Sequence, residues 1–220
     1  MQLVDALLPE RCAVCSRPGT ALCGRCRAAL VRLREPLCER CGAPGPWPVR
    51  RCAECAGRRL AFARARAAIV YDARARLLVG EWKERGRRRL AREAAELVLE
   101  VVARPESDAV VHVPGDPERA LRRGDVPPRA LAAELGGAWS VPVLDLLRRR
   151  GGLARQRGLA LRERHQNVRG SVVATSPAPG SVCVVDDVYT SGATADACAA
   201  ALRRAGARRV EIVTLARAVR

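Results

Sequence analysis

Two neighbouring carboxylates and a run of small, hydroxyl-bearing residues lie close together in the sequence. Asp186 and Asp187 directly follow the apolar residues 182–185. After two further residues comes a five-residue run: Thr190, Ser191, Gly192, Ala193 and Thr194. Carboxylates accept hydrogen bonds from sugar hydroxyls, whereas hydroxyl groups and the free N–H groups at the start of a helix bind phosphate. The pattern therefore predicts a ligand that carries both hydroxyls and a phosphate, such as a ribose 5-phosphate.

Eight of the ten cysteines form four Cys-x-x-Cys pairs within the first 60 residues. Two such pairs supply four thiolates to one tetrahedral zinc ion, so we predict two structural zinc sites with no open position for catalysis. Sequential pairing leaves 7 and 10 residues between the paired motifs, whereas a cross-braced arrangement leaves 22 and 25. The shorter spacers favour sequential pairing, and both arrangements stay open. The predicted ligands are Cys12, Cys15, Cys23, Cys26, Cys38, Cys41, Cys52 and Cys55.

The cationic residues of the chain are almost all arginine. The sequence has a net charge of +17, with Lys83 the single lysine among 40 basic residues. A charge of this size attracts polyanions such as nucleic acid. A GC-rich coding sequence would also favour arginine over lysine, so the charge alone does not identify a partner. Because every other basic residue counted here is arginine, the lysine at position 83 indicates a site that needs a compact ammonium group.

Apolar stretches that suit strands alternate with helical patterns after about residue 60. We predict strands at 67–71, 109–113, 141–144, 172–174, 182–185 and 211–215, and helices at 74–84, 87–102, 129–135 and 192–204. Alternation of this kind predicts an α/β fold with a mostly parallel sheet. The chain then divides into a Cys-rich segment, 1–60, and a sheet domain, 61–220. The proline-rich residues 36–48 predict that the Cys-rich segment buries little core and depends on metal for its order.

The residues around the acid pair resemble a known family signature. An apolar strand, Asp-Asp, two residues and Thr-Ser-Gly-Ala-Thr is similar to the phosphoribosyl pyrophosphate (PRPP) motif of type I phosphoribosyltransferases. The four cysteine pairs, residues 82–87, Val113-Pro114, residues 122–124 and residues 164–170 follow in the order typical of the ComF family. Those proteins join a zinc-binding segment to a phosphoribosyltransferase domain, and some of them serve DNA uptake in natural competence.

The resemblance implies a role for each residue of the motif. Asp186 and Asp187 would bind the ribose hydroxyls of PRPP, the loop Thr190–Thr194 would hold its 5-phosphate, and magnesium would bridge pyrophosphate and ribose oxygens. Lys83 and Arg85 would act in catalysis by neutralising the departing pyrophosphate. The expected reaction is displacement of pyrophosphate from C1 of PRPP by an acceptor, which the sequence does not identify.

Two departures from related patterns favour an alternative function. Thr190 stands where purine-salvage transferases carry an acid that serves as general base, so purine salvage is disfavoured. Many ComF relatives have Phe-Asn-Gln after the Arg-Gly pair, whereas Gly124 is followed here by residues 125–128, Asp-Val-Pro-Pro. The alternative is a non-catalytic, PRPP-sensing module that binds single-stranded DNA or proteins of the DNA-uptake machinery.

The sequence contains no apolar run near the roughly 20 residues that a membrane span requires. Residues 1–10 also lack the basic start and long apolar stretch of a signal peptide. Cysteine pairs in a cytoplasmic protein are more often metal ligands than disulfides. We therefore expect a cytoplasmic protein without a membrane span.

Overall fold

A parallel sheet of five strands lies at the centre of the computed structural model, which describes residues 10–85, 87, 89–115, 126–150 and 170–219. In chain order the strands are β1 (Arg64–Val70), β2 (Ala109–His112), β3 (Val143–Leu144), β4 (Leu147–Arg149), β5 (Val172–Ala174), β6 (Ser181–Tyr189) and β7 (Arg209–Arg217). The central sheet has the order β1-β7-β6-β2-β3, and β4 pairs with β5 in a separate antiparallel ribbon. The predicted α/β fold with a mostly parallel sheet is confirmed.

Helices cover both faces of this sheet. The helices within the described residues are α1 (Gly24–Ala28), in the Cys-rich segment, and α2 (Ala73–Arg85), α3 (Arg89–Leu99), α4 (Pro127–Trp139) and α5 (Ala193–Arg204). Apolar residues of α2, α3 and α4 share one buried cluster, whereas those of α5 belong to a second cluster. Among the described residues, no helix combines the length and apolar character needed to cross a bilayer.

The central strand β6 is buried on both sides because its side chains alternate between these two clusters. Cys183 and Val185 pack with α3 and α4, while Val182 and Val184 pack with α5. This period of two is the geometry of any strand, and burial of both faces explains the unbroken apolar run. The strand is thereby held rigidly just before the two acids.

The Cys-rich segment covers the outer edge of the sheet. Strand β1 is the edge strand, and its free side receives backbone hydrogen bonds from residues 31–33: Leu33 N–H donates to the Ala68 carbonyl and Val70 N–H donates to the Val31 carbonyl, both at 2.8 Å. Arg27 and Arg32 then bind Glu100, the residue that follows α3, at 2.8 Å and 2.9 Å. An otherwise exposed edge strand is thus protected from pairing with other chains.

The same segment contributes to both hydrophobic clusters of the sheet. Leu22 and Leu30 are buried in the cluster that contains Ile69, and Leu37 and Ala43 are also buried. The expectation that this segment buries little core is therefore wrong. Division of the chain at residue 60 stays a prediction, because buried clusters extend across that position.

Several element boundaries differ from the predicted ones. Strand β6 continues to Tyr189 rather than ending at Val185, since β7 pairs with it along its whole length, including Val188 with Ala216. Strand β1 begins at Arg64 for the same reason, as β7 runs beside it from Glu211. Helix α3 is shorter than the predicted 87–102, and α4 is longer than the predicted 129–135.

Candidate functional site

The two acids lie at the edge of the sheet where its parallel strands end. Strand β2 pairs with β6 only as far as Val185, opposite His112, whereas β7 continues to pair with β6 beyond the acids. Asp186 and Asp187 therefore project past the end of one neighbouring strand while the other holds their backbone. The carboxyl ends of strands in an open α/β sheet are the usual place for a ligand.

Lys83 lies beside this acid pair. Its Nζ is 2.6 Å from Oδ2 of Asp187, and the Lys83 side chain is 40% exposed whereas that of Asp187 is 6% exposed. Helix α2 presents the ammonium group from its last turn. This direct contact with Asp187 supports the prediction that Lys83 belongs to the site. Arg85 ends α2, and its side chain lies outside the described residues.

The pKa of Asp186 is raised above the usual value for an aspartate. Burial, followed by the charge of Asp187, raises the pKa of Asp186 to about 8, while the Asp187 N–H and Lys83 oppose that rise. The Asp187 N–H donates to Oδ1 of Asp186 at 2.9 Å. Ionisation of Asp186 is therefore harder than that of an ordinary aspartate, because its charge would be buried beside that of Asp187.

The hydroxyl-bearing loop connects β6 to α5. Gly192 has φ of +73° and caps the helix, and a Cβ atom at this position would clash with the Tyr189 hydroxyl. Only glycine fits there, because both the conformation and the space exclude a side chain. Oγ of Ser191 accepts a hydrogen bond from Ala193 N–H at 3.4 Å. Thr190 is exposed, and Thr194 is half-buried in the first turn of α5.

The four cysteine pairs form two separate clusters. Cys12, Cys15, Cys23 and Cys26 form one and Cys38, Cys41, Cys52 and Cys55 the other, with all sulfur atoms of a cluster within 4.8 Å of one another. Individual Sγ–Sγ distances are 3.8 Å for Cys15–Cys23 and 3.7 Å for Cys38–Cys55. A tetrahedral zinc ion with Zn–S bonds of about 2.3 Å requires sulfur atoms roughly 3.8 Å apart, so each cluster fits one zinc ion. Sequential pairing is confirmed, and the cross-braced arrangement is wrong.

The pKa values of these thiols are also consistent with a metal-binding site. Burial acts to raise the pKa of Cys12 and of Cys38, yet backbone hydrogen bonds outweigh it and lower these pKa values to about 6 and about 7. Burial and neighbouring thiols raise the pKa of Cys26 to about 12 and that of Cys55 to about 11. A divalent cation would allow four crowded thiols to ionise together, and the two clusters are consistent with two structural zinc ions.

Three residues near the site were not predicted from the sequence to act there. Arg149 of β4 donates from Nε to the Pro114 carbonyl at 3.0 Å, which brings a cation to the loop after β2. Tyr189 and Arg217 lie side by side at the ends of β6 and β7, and the guanidinium carbon of Arg217 is 4.6 Å from the Tyr189 ring centre. Tyr189 is conspicuous in a chain with 3% aromatic residues, but its contacts depend on the fold.

Comparison with known proteins identifies relatives of the whole chain. Residues 3–57 match the family model of a double zinc ribbon domain. The DNA utilization protein YhgH of Salmonella typhi is 32% identical over 226 residues, which cover 96% of this chain and 98% of that protein. Competence protein F of Haemophilus influenzae is 25% identical over 209 residues, which cover 90% of each chain. The similarity thus extends across the Cys-rich segment and the sheet.

Among solved structures, orotate phosphoribosyltransferase from Aeropyrum pernix is similar to this chain with 24% identity. The matched region covers 69% of this chain and 68% of that one, with a TM-score of 0.37.

Proposed function

The chain belongs to the ComF family, and on that premise we propose that it binds PRPP with magnesium and transfers the phosphoribosyl group to an acceptor. The names of its relatives refer to DNA utilization and competence. We extend the proposal to a competence-associated role in DNA uptake, carried out in the cytoplasm. Single-stranded DNA and proteins of the uptake machinery are the proposed macromolecular partners.

One observation carries the proposal: an acid pair at the carboxyl edge of the sheet is followed, after one turn, by a glycine-capped helix. Asp187 is buried and paired with Lys83, so it is a fixed acceptor rather than a solvated surface acid. The N-terminus of the 12-residue helix α5 follows directly. Its first N–H groups and the positive end of its dipole suit a phosphate. A ribose 5-phosphate offers hydroxyls to the acids and a phosphate to the helix.

The residues act mainly by placing the ligand. Asp186 and Asp187 would accept hydrogen bonds from the ribose hydroxyls, and residues 190–194 would hold the 5-phosphate. An acceptor would then form a bond to C1 while the bond from C1 to pyrophosphate breaks, and pyrophosphate would leave with the electron pair. Fixed negative charge near the ribose stabilises the positive charge that develops on its ring. Magnesium, held by PRPP oxygens close to the two acids, would offset the charge of the leaving pyrophosphate.

In this proposal Lys83 has two roles, one in the free protein and one when the ligand is bound. In the free protein its ammonium group neutralises Asp187, which is almost fully buried. When ribose hydroxyls occupy the acids, a lysine on a flexible four-carbon stem can turn toward the pyrophosphate without leaving the site. Arg85, two residues further along α2, is the proposed second cation for that group.

Direct binding tests the ligand assignment. Replacing Asp187 with Ala should weaken PRPP binding by more than tenfold, because a hydrogen bond to a buried charged group contributes on the order of 1.5–3 kcal/mol. Thr194→Val should weaken it through the phosphate. The measurement is calorimetry with magnesium and PRPP. Equal affinities for wild type and both variants would remove the assignment.

A second candidate function is supported by a surface feature of the Cys-rich segment. Trp47 is 65% exposed, and it lies between Pro44 and Val49, which form backbone bridges to Leu37 and Cys38. Exposed arginines follow at positions 50 and 51. An exposed aromatic ring beside cations is suited to stack on a base of single-stranded nucleic acid. This feature favours a binding module that senses PRPP without catalysis.

Pyrophosphate release separates the two functions. The assay would incubate PRPP with a panel of bases, amines and nucleic acids, with Asp186→Ala as the control. Release that requires an acceptor and disappears in the control supports the transferase. No release despite normal PRPP binding, together with salt-sensitive binding of single-stranded DNA that Trp47→Ala weakens, supports the binding module.

A further inference from the structure

Arg217 connects the second cysteine cluster to the end of β6. The side chain of Arg217 is 1% exposed, and it donates hydrogen bonds to the Cys41 carbonyl at 2.8 Å and to Oε2 of Glu54 at 2.7 Å. One of its nitrogens is also 3.7 Å from the Cys41 sulfur. A buried cation is costly unless it is paired. The Glu54 carboxylate provides that pairing, and four thiolates around one zinc ion, with a net charge of −2, would add to it.

The same guanidinium group also contacts the residue that precedes the proposed phosphate-binding loop. It lies over the Tyr189 ring, and the Tyr189 hydroxyl occupies the space that a side chain on Gly192 would need. Any displacement of Tyr189 therefore changes the room available to Gly192, whose left-handed conformation begins α5. Packing at van der Waals distance transmits such a displacement, since protein interiors have few voids.

Two further contacts join the second cluster to this loop. Arg58 lies three residues after Cys55, and its N–H donates to the Cys55 carbonyl at 3.1 Å. The guanidinium group of Arg58 donates to the Ser191 carbonyl at 2.7 Å. The backbone N–H of Ala61 donates to Oδ1 of Asp196 in the first turn of α5, also at 2.7 Å.

The first cysteine cluster has different neighbours. Arg27, the residue after Cys26, pairs with Glu93 and Glu96 of α3 at 3.1 and 3.0 Å, and with Glu100, just after α3, at 2.8 Å. Helix α3 packs on the face of the sheet opposite to α5. The two clusters therefore dock on different elements, although their ligand spacing is similar.

We propose that the second cysteine cluster, with its zinc ion, positions the phosphate-binding loop through Arg58 and Arg217, and that the first cluster does not. The identity of the ligand rests on the proposed function, whereas the mechanical coupling does not depend on it. In this proposal Arg58 and Arg217 are positioning residues, because the groups they contact are Ser191 and Tyr189.

The test uses the full-length, zinc-loaded chain and two readouts. The first is hydrogen exchange of the amides of residues 190–194 in the free protein. The second is affinity for ribose 5-phosphate and, separately, for pyrophosphate. Arg58→Ala should speed loop exchange and weaken ribose 5-phosphate binding about five- to tenfold, as expected for the loss of one hydrogen bond. Affinity for pyrophosphate and a content of two zinc ions should be unchanged, and Arg58→Lys should restore part of the loss.

Matched variants assign the effect to one cluster. Cys52→Ser in the second cluster should speed loop exchange, whereas Cys15→Ser in the first should not. Arg27→Ala, which removes the contacts to α3, is the corresponding arginine control. Unchanged exchange in Arg58→Ala, or equal effects of Cys15→Ser and Cys52→Ser, would overturn the coupling. If the wild type fails to bind ribose 5-phosphate, the proposed function fails, and the exchange measurements still decide whether the cluster positions the loop.

Discussion

Asp186 is the residue whose ionisation we expect to control ligand binding near neutral pH. Its pKa of about 8 results first from burial and then from the adjacent Asp187. A protonated carboxyl group accepts hydrogen bonds from ribose hydroxyls less well than a carboxylate does. Where Asp186 is still protonated, binding therefore releases its proton, and part of the binding free energy offsets that release.

The affinity for ribose 5-phosphate should accordingly rise with pH. Because the raised pKa of Asp186 delays its ionisation, more of this group is ionised as the pH rises above neutral, and the dissociation constant should fall. Calorimetry in buffers of different ionisation enthalpy would show the proton release directly. Asp186→Asn should bind more weakly and without this slope, whereas a flat profile in the wild type would contradict the assignment.

At the scale of elements, the turn from β6 into α5 depends on a single glycine. Gly192 combines a positive φ with a contact to the Tyr189 hydroxyl that leaves no room for a methyl group. Its backbone also accepts a hydrogen bond from Asp196 N–H in the first turn of α5. The position of the helix N-terminus relative to the acids is therefore determined by the conformation of this residue.

Gly192→Ala should destabilise the protein and weaken binding of ribose 5-phosphate. The left-handed conformation alone costs an L-residue about 1–2 kcal/mol, and the clash with Tyr189 adds to that cost. Urea unfolding measures the loss. Gly80→Ala is the control, because a Cβ at Gly80 in α2 meets no atom within 4 Å. That variant should gain about 0.4–1 kcal/mol, and equal effects at both positions would refute the argument.

At the scale of the whole molecule, the Cys-rich segment and the sheet stabilise each other. Apolar residues from both parts share two buried clusters, and the segment supplies hydrogen bonds to the free side of β1. Arg217 adds a connection between residues 176 positions apart. Loss of metal should consequently affect more than the residues that bind it.

Element analysis of the purified chain under reducing conditions should find two zinc ions. Removing them with a chelator should lower the temperature of a single, cooperative unfolding transition, because the two parts share their cores. Near- and far-ultraviolet circular dichroism during heating would test this. Two separate transitions, with the sheet unaffected by chelation, would show that the parts fold independently.

The sequence predicts features whose residues are close together in the chain. Cysteine spacing predicts two metal clusters, and the acid pair with its loop falls within nine consecutive residues, 186–194. Contacts of Arg217 and Arg58 could not be predicted, because their partners are distant in sequence and arginine is common throughout. Strand β4 was missed since two of its three residues are exposed arginines, and only pairing with β5 makes it a strand.

The edge position of β1 has a consequence for synthesis of the protein. Arg64 in β1 and Glu211 in β7 are 147 residues apart, so translation takes roughly 7–30 s to add the strand that pairs with the inner side of β1. The Cys-rich segment, in contrast, emerges from the ribosome before β1 does. Once it holds zinc, it can shield the outer side of β1 during this interval, as a chaperone in the same polypeptide would. We therefore expect the supply of zinc to nascent chains to influence how much of the protein escapes aggregation.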